Sequence, residues 1–183
     1  KGNDSIVDFA VDVRREKIFF VYENIEGLFS LDLKSQEVAV MKNVPPPKRI
    51  LYDWVTENVY IFSREGYKNY ELHICNMDKK SCVMINKFGF NERISMAEID
   101  PLKRWLFYVV DSSIFFSRVP PKIFKMRLDG SETMRLREES DISALTIDID
   151  SQQVFYTSSQ SLQSFNYEGK NKATYLDQSK MLK

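Results

Sequence analysis

Hydrophobic and polar positions along the chain fall into four frames, each closing an apolar segment with an aspartate. Ile6, Phe9, Val11 and Val13 surround Asp12, and Ile50 and Tyr52 lead to Asp53. Ile94, Met96 and Ile99 lead to Asp100, and Ile142, Leu145, Ile147 and Ile149 surround Asp148. Alternation of this kind predicts half-buried strands. After each aspartate comes a short polar turn, as in Arg14-Arg15-Glu16-Lys17 and Asp150-Ser151-Gln152-Gln153. An aromatic, β-branched run then starts at a constant offset: Ile18-Phe19-Phe20-Val21, Val59-Tyr60-Ile61-Phe62, Leu106-Phe107-Tyr108-Val109 and Val154-Phe155-Tyr156-Thr157. Consecutive apolar residues predict inner strands covered on both faces.

A third strand follows in every frame, at Leu28–Leu33, Leu72–Met77, Ile123–Leu128 and Leu162–Tyr167. Each runs into a polar hairpin, among them Asp129-Gly130-Ser131 and Glu168-Gly169-Lys170, where glycine takes positive φ without a steric cost. A short outer strand such as Val38 to Met41 or Thr133 to Leu136 closes the frame. The aspartates recur at roughly 41 to 48 residues, the period of a four-stranded propeller blade. The predicted fold is therefore all-β, a β-propeller with blade frames at approximately 6–43, 48–88, 94–138 and 142–177. The charged run Arg135 to Asp141 falls on an interblade loop in this register. Pro45-Pro46-Pro47 reads as a stiff connector between the first two blades.

Composition narrows the classes of function. The chain has 183 residues, one domain by size alone. Its 26 Lys and Arg balance 26 Asp and Glu, so no basic excess is present to neutralise phosphates, which argues against nucleic acid as a partner. No apolar run approaches the ~18 residues of a membrane span, and Lys1-Gly2-Asn3-Asp4 is not a signal peptide; an anchor or targeting signal is expected outside this chain. Cys75 and Cys82 stand either as free thiols or as a hairpin staple. With His73 the only histidine, zinc is poorly supported and no cofactor is expected.

Candidate chemistry is sparse. A Ser-His-Asp or Cys-His arrangement would need His73, which sits mid-strand and reads as an ordinary surface or edge residue, so no enzyme is expected. Asp12, Asp53, Asp100 and Asp148 recur at equivalent positions and read as structural, accepting N–H groups of the turns that follow them. Recognition residues are sought in two loops: Arg64, Tyr67 and Tyr70 in one, Phe115, Phe116 and Arg118 in the other. Asn3-Asp4-Ser5 fits the N-glycosylation sequon.

The frame resembles the YWTD β-propeller of the low-density lipoprotein receptor family. Phe155-Tyr156-Thr157-Ser158 and Tyr60-Ile61-Phe62-Ser63 look like degenerate forms of its tetrad, and Leu128-Asp129-Gly130-Ser131 is close to its hairpin. Asp53-Trp54-Val55 and Asp100-Pro101-Leu102 match variants found after its first strand. The segment from Ile74 to Cys82 is similar to the insect vitellogenin and lipophorin receptor branch, and that resemblance implies a Cys75–Cys82 disulfide. The register agrees, since opposed residues of an antiparallel pair lie about 4.5–5.5 Å apart, within disulfide reach. No frame carries the complete tetrad, and the family closes with six blades where four are visible, which implies a partial propeller spanning residues 1–183.

By this resemblance the chain is an extracellular, cell-surface receptor segment that cycles through endosomes and supports lipoprotein or yolk-protein uptake, acid-dependent release and recycling. Its partners would be a lipoprotein ligand and the cysteine-rich and EGF-like modules of the same receptor, with His73 a conceivable acid sensor. A second reading keeps the fold as an adhesive or signalling propeller of nidogen or receptor-kinase kind. A third makes it a calcium-dependent propeller hydrolase.

Overall fold

The computed structural model describes residues 5–23, 25–64, 69–112, 119–159 and 161–177. Sixteen strands and no helix occur among them, in four antiparallel sheets of four strands, each sheet in simple sequence order. The first sheet holds β1 (Ile6–Asp12), β2 (Lys17–Tyr22), β3 (Leu28–Asp32) and β4 (Val38–Met41). The second holds β5 (Pro47–Asp53), β6 (Asn58–Ser63), β7 (Glu71–Asn76) and β8 (Ser81–Lys87). The third holds β9 (Glu92–Asp100), β10 (Trp105–Ser112), β11 (Lys122–Arg127) and β12 (Met134–Glu138). The fourth holds β13 (Ala144–Asp148), β14 (Gln153–Ser158), β15 (Ser161–Asn166) and β16 (Ala173–Asp177). These are the four-stranded meanders of propeller blades, here blades 1 to 4.

The chain divides into two compact units, Lys1–Phe90 and Asn91–Lys183, each of two blades. In the first unit, Phe19, Val21 and Leu28 of blade 1 pack with Ile50, Tyr52, Val59 and Ile61 of blade 2. In the second, Phe107, Val109 and Ile123 of blade 3 pack with Leu145, Val154, Tyr156 and Phe165 of blade 4. Period-2 alternation produces both cores, because every second residue of an inner strand meets the neighbouring blade. Burial of each large side chain contributes roughly 1.5–3 kcal/mol.

Three local expectations change. Val13 continues the apolar alternation of β1, but it lies in the turn after Asp12 and is 80% exposed. The charged run does not form a loop from its start: Arg135 to Glu138 belong to β12. An outer strand faces solvent on one side, so charge there is compatible with pairing and protects the edge; Arg137 also lays its guanidinium 5.6 Å from the Phe165 ring centroid. Pro47 is the first residue of β5, opposite Ser63 with an irregular register beside it. A strand's first position tolerates the missing N–H.

The apolar positions of β1 are exposed. Phe9, Phe20, Phe29 and Val40 are cross-strand neighbours on one face of blade 1, as are Val11, Ile18, Leu31 and Val38 beside them. Phe9 is 61% and Val11 44% exposed, whereas Ile50 and Tyr52 at the equivalent positions of blade 2 are 2% and 7% exposed.

Candidate functional site

The four repeat aspartates build one kind of turn. Oδ1 of Asp12 accepts the N–H groups of Arg14 and Arg15 at 3.1 and 3.2 Å, and Oδ1 of Asp53 those of Val55 and Thr56 at 2.9 and 3.2 Å. Asp100 receives Leu102 and Lys103 at 2.9 and 3.0 Å, and Asp148 receives Asp150 and Ser151 at 3.1 and 3.3 Å. The fourth residue after each aspartate, Glu16, Glu57, Arg104 or Gln152, is left-handed with φ between 53° and 63°. A carboxylate is suited to this task because one oxygen can take two backbone donors while the other stays available.

The second oxygen separates the aspartates into two pairs. In blades 1 and 3 it is bonded from the next blade: Tyr52 donates to Asp12 Oδ2 at 2.6 Å, and Tyr167 to Asp100 Oδ2 at 3.0 Å. In each case the same tyrosine ring lies against an aromatic seven residues past the aspartate, Phe19 at 4.8 Å and Phe107 at 4.5 Å between centroids. In blades 2 and 4 the bond is local: Thr56 Oγ1 donates to Asp53 Oδ2 and Ser151 Oγ to Asp148 Oδ2, both at 2.6 Å. Position three of the turn is Arg15 or Lys103 in the first pair and Thr56 or Ser151 in the second, so the hydroxyl is present where no tyrosine arrives.

Each tyrosine junction carries further polar contacts. Between blades 1 and 2, Arg15 pairs with Glu57, Arg14 lies 4.3 Å over the Trp54 ring, and Asp8 Oδ2 accepts the Ile50 N–H at 2.9 Å. Between blades 3 and 4, Lys125 approaches Glu168 at 3.9 Å and, with Arg127, flanks the Trp105 ring. Burial pushes the Tyr52 and Tyr167 hydroxyls well above the ordinary phenol range, and their bonds to Asp12 and Asp100 push the same way. Both therefore stay donors at any physiological pH. The Ser151 hydroxyl, followed by the backbone N–H groups, holds the exposed Asp148 carboxyl below its usual range.

Cys75 and Cys82 are bonded to each other across the β7–β8 hairpin, where they are register partners. His73 is buried, which corrects the expectation of a surface residue: it lies between Ile61 and Met84 on neighbouring strands, with Nε2 3.2 Å from Glu71 Oε2. Glu71 also approaches Lys87 at 3.5 Å. Tyr70 is buried too, with the Arg64 guanidinium 5.1 Å from its ring centroid, so its ring serves blade packing and is not an exposed contact. Asn3, Tyr67, Phe115, Phe116 and Arg118 lie outside the described residues. Among the described residues no group of three or more His, Cys, Asp or Glu could hold a metal ion.

Sequence reasoning missed the roles of Tyr52 and Tyr167. One is the next-to-last residue of the first strand of its blade and the other follows the third strand, so no repeat position marks them. What the arrangement does chemically is fix one blade against the next through paired donors and acceptors in a largely apolar seam.

Comparison with known proteins agrees with this architecture. The chain is 27% identical over 158 residues to the vitellogenin receptor Yl of Drosophila melanogaster and 20% identical over 169 residues to the vitellogenin receptor of Solenopsis invicta. These matches cover 85% and 91% of this chain but 8% and 9% of the receptors, so the chain spans under a tenth of the curated relatives it matches. No family model matches. Among solved structures, the nidogen/laminin complex aligns with TM-score 0.72 at 16% identity over 93% of this chain and 64% of that one. TolB from Acinetobacter baumannii aligns at 0.69 and 14% identity, over 93% of this chain and 43% of that one. The chain is a β-propeller protein similar in sequence to vitellogenin receptors of two insects.

Proposed function

We propose that the chain is a propeller segment of an extracellular endocytic receptor for lipoprotein or yolk protein. The observation that carries this reading is sequence similarity to two vitellogenin receptors over most of the chain. The Cys75–Cys82 disulfide supports it, because such bonds persist in oxidising compartments. In this reading the propeller is a non-enzymatic support. Ligand is captured by cysteine-rich modules elsewhere in the receptor, a membrane anchor lies outside these residues, and the blades assist acid-dependent release and recycling through endosomes. Asp12, Asp53, Asp100 and Asp148 serve the scaffold, and recognition is assigned to the loops holding Tyr67, Phe115, Phe116 and Arg118, with Asn3 a glycosylation acceptor.

The test is uptake of fluorescent yolk lipoprotein by cells that express the polypeptide carrying this chain. Depleting it is expected to abolish internalisation while adhesion to laminin is unchanged. Normal uptake with lost adhesion would instead favour the adhesive reading.

A further inference from the structure

The outer strand of blade 2, β8, has one edge paired to β7, and no strand among the described residues pairs with the other. An open edge of this kind presents N–H and C=O groups to any extended chain beside it. Which residues supply them follows from the hairpin register. Cys75 and Cys82 are partners with Cα atoms 4.1 Å apart, the close spacing of a non-hydrogen-bonded antiparallel pair. The backbone groups of Cys82 therefore point away from β7, and so do those of Met84, which is partnered by His73. Leu72 is opposite Asn86, so Ile85 is the extra residue of a bulge and ends the regular stretch. Ser81 to Met84 thus offers two donors and two acceptors at strand spacing.

Sequence and staple set this edge apart. β12, the outer strand of blade 3, carries Arg135, Arg137 and Glu138, charges that oppose strand addition. From Ser81 to Asn86, β8 has neither a charge nor a proline, and Val83 and Met84 are 62% and 51% exposed on its two faces. The disulfide fastens β8 to buried Cys75 at the very residue whose backbone groups face outward. A strand already held extended loses little freedom when a second strand pairs with it.

Charge selects the occupant. Lys79 and Lys80 are exposed beside Asp78 in the turn that leads into β8, and neither lysine forms an ion pair among the described residues. At the other end, Lys87 lies 3.5 Å from Glu71. The turn end of the edge is therefore net positive. Antiparallel pairing with β8 of a second copy, centred on Met84, would bring the lysines of each turn to the Lys87 end of the other, like charge against like. An acidic strand meets attraction at the same place.

We propose that the open edge of β8 is a strand-addition site for an extended segment of a partner protein. That segment is β-branched where it lies along Val83 and Met84, and acidic at its C-terminal end, where an antiparallel strand passes Lys80 and Lys79. The inference does not rest on the receptor reading.

The test is fluorescence anisotropy of a labelled peptide, Thr-Val-Thr-Val-Thr-Val-Asp-Glu-Glu, with the polypeptide that carries this chain, followed by hydrogen exchange of the complex. Binding is expected to weaken as salt rises and to slow exchange in the Ser81–Lys87 segment. The same peptide N-methylated at two adjacent central residues, which blocks both of its edges, is expected to bind about tenfold more weakly or worse. Lys79→Glu with Lys80→Glu, at exposed positions, is expected to weaken binding about tenfold with the fold intact by circular dichroism. No binding at about 1 mM peptide overturns the proposal, as does protection confined to other strands. So does undiminished binding of the N-methylated peptide or by the charge-reversed variant, or self-association of the polypeptide through β8. Failure here concerns the β8 edge alone and leaves the uptake test untouched.

Discussion

Tyr52 and Tyr167 reach the same chemistry from different places in their blades, and each is more than a filler of apolar volume. Asp12 and Asp100 are almost wholly buried, so loss of a hydroxyl donor leaves a desolvated carboxylate under-satisfied. Tyr52→Phe and Tyr167→Phe are each expected to destabilise by about 1–2 kcal/mol in chemical denaturation, since the ring and its stacking are retained. The same sites give an alkaline signature. Burial raises the folded-state pKa of Tyr52, Tyr108, Tyr156 and Tyr167 above the ordinary value of about 10. Stability from these groups is complete below that value and is lost as pH rises toward the folded one. Phenolate absorbance in an alkaline titration should therefore show these four tyrosines ionising only as the chain unfolds. Smooth ionisation of all four near pH 10 would contradict the burial.

At the scale of elements, the β7–β8 hairpin carries a covalent staple, Cys75–Cys82. Its outer strand exposes Val83 and Met84, while Cys75 is part of the core beneath. Replacing both cysteines by serine is expected to cost about 2 kcal/mol, from loop closure lost in the unfolded chain and from a hydroxyl placed in an apolar site. Hydrogen exchange should localise the loss of protection to β7 and β8; uniform loss across both units would refute a local role. The frames were legible in sequence because an aspartate-bearing turn between an alternating strand and an aromatic strand recurs at a fixed offset. The Cys75–Cys82 pairing followed from family resemblance with a consistent hairpin register. The tyrosine partners were not legible, since Tyr52 and Tyr167 occupy different repeat positions and only packing brings them to equivalent carboxylates. Val13 and the charges of β12 were misread for a related reason: periodicity does not mark where a strand ends or which edge meets water.

For the whole molecule, the proposed receptor function would rest on the rigidity of the blades. Recurrent aspartate turns, cross-blade tyrosines and a disulfide all restrain the blades. Under the function proposed above, the blades assist acid-dependent release only if they hold their shape while the solution acidifies. The most direct measurement is release of labelled yolk lipoprotein from the complete receptor after a shift from neutral pH to about pH 5.5, where endosomal switches operate. The native receptor is expected to bind at neutral pH and release promptly in acid. A receptor carrying Tyr52→Phe with Tyr167→Phe should bind equally well and release more slowly. Equal release from the two receptors, with the unfolding transition of the variant lowered as expected, would contradict the assignment of function to the restrained blades.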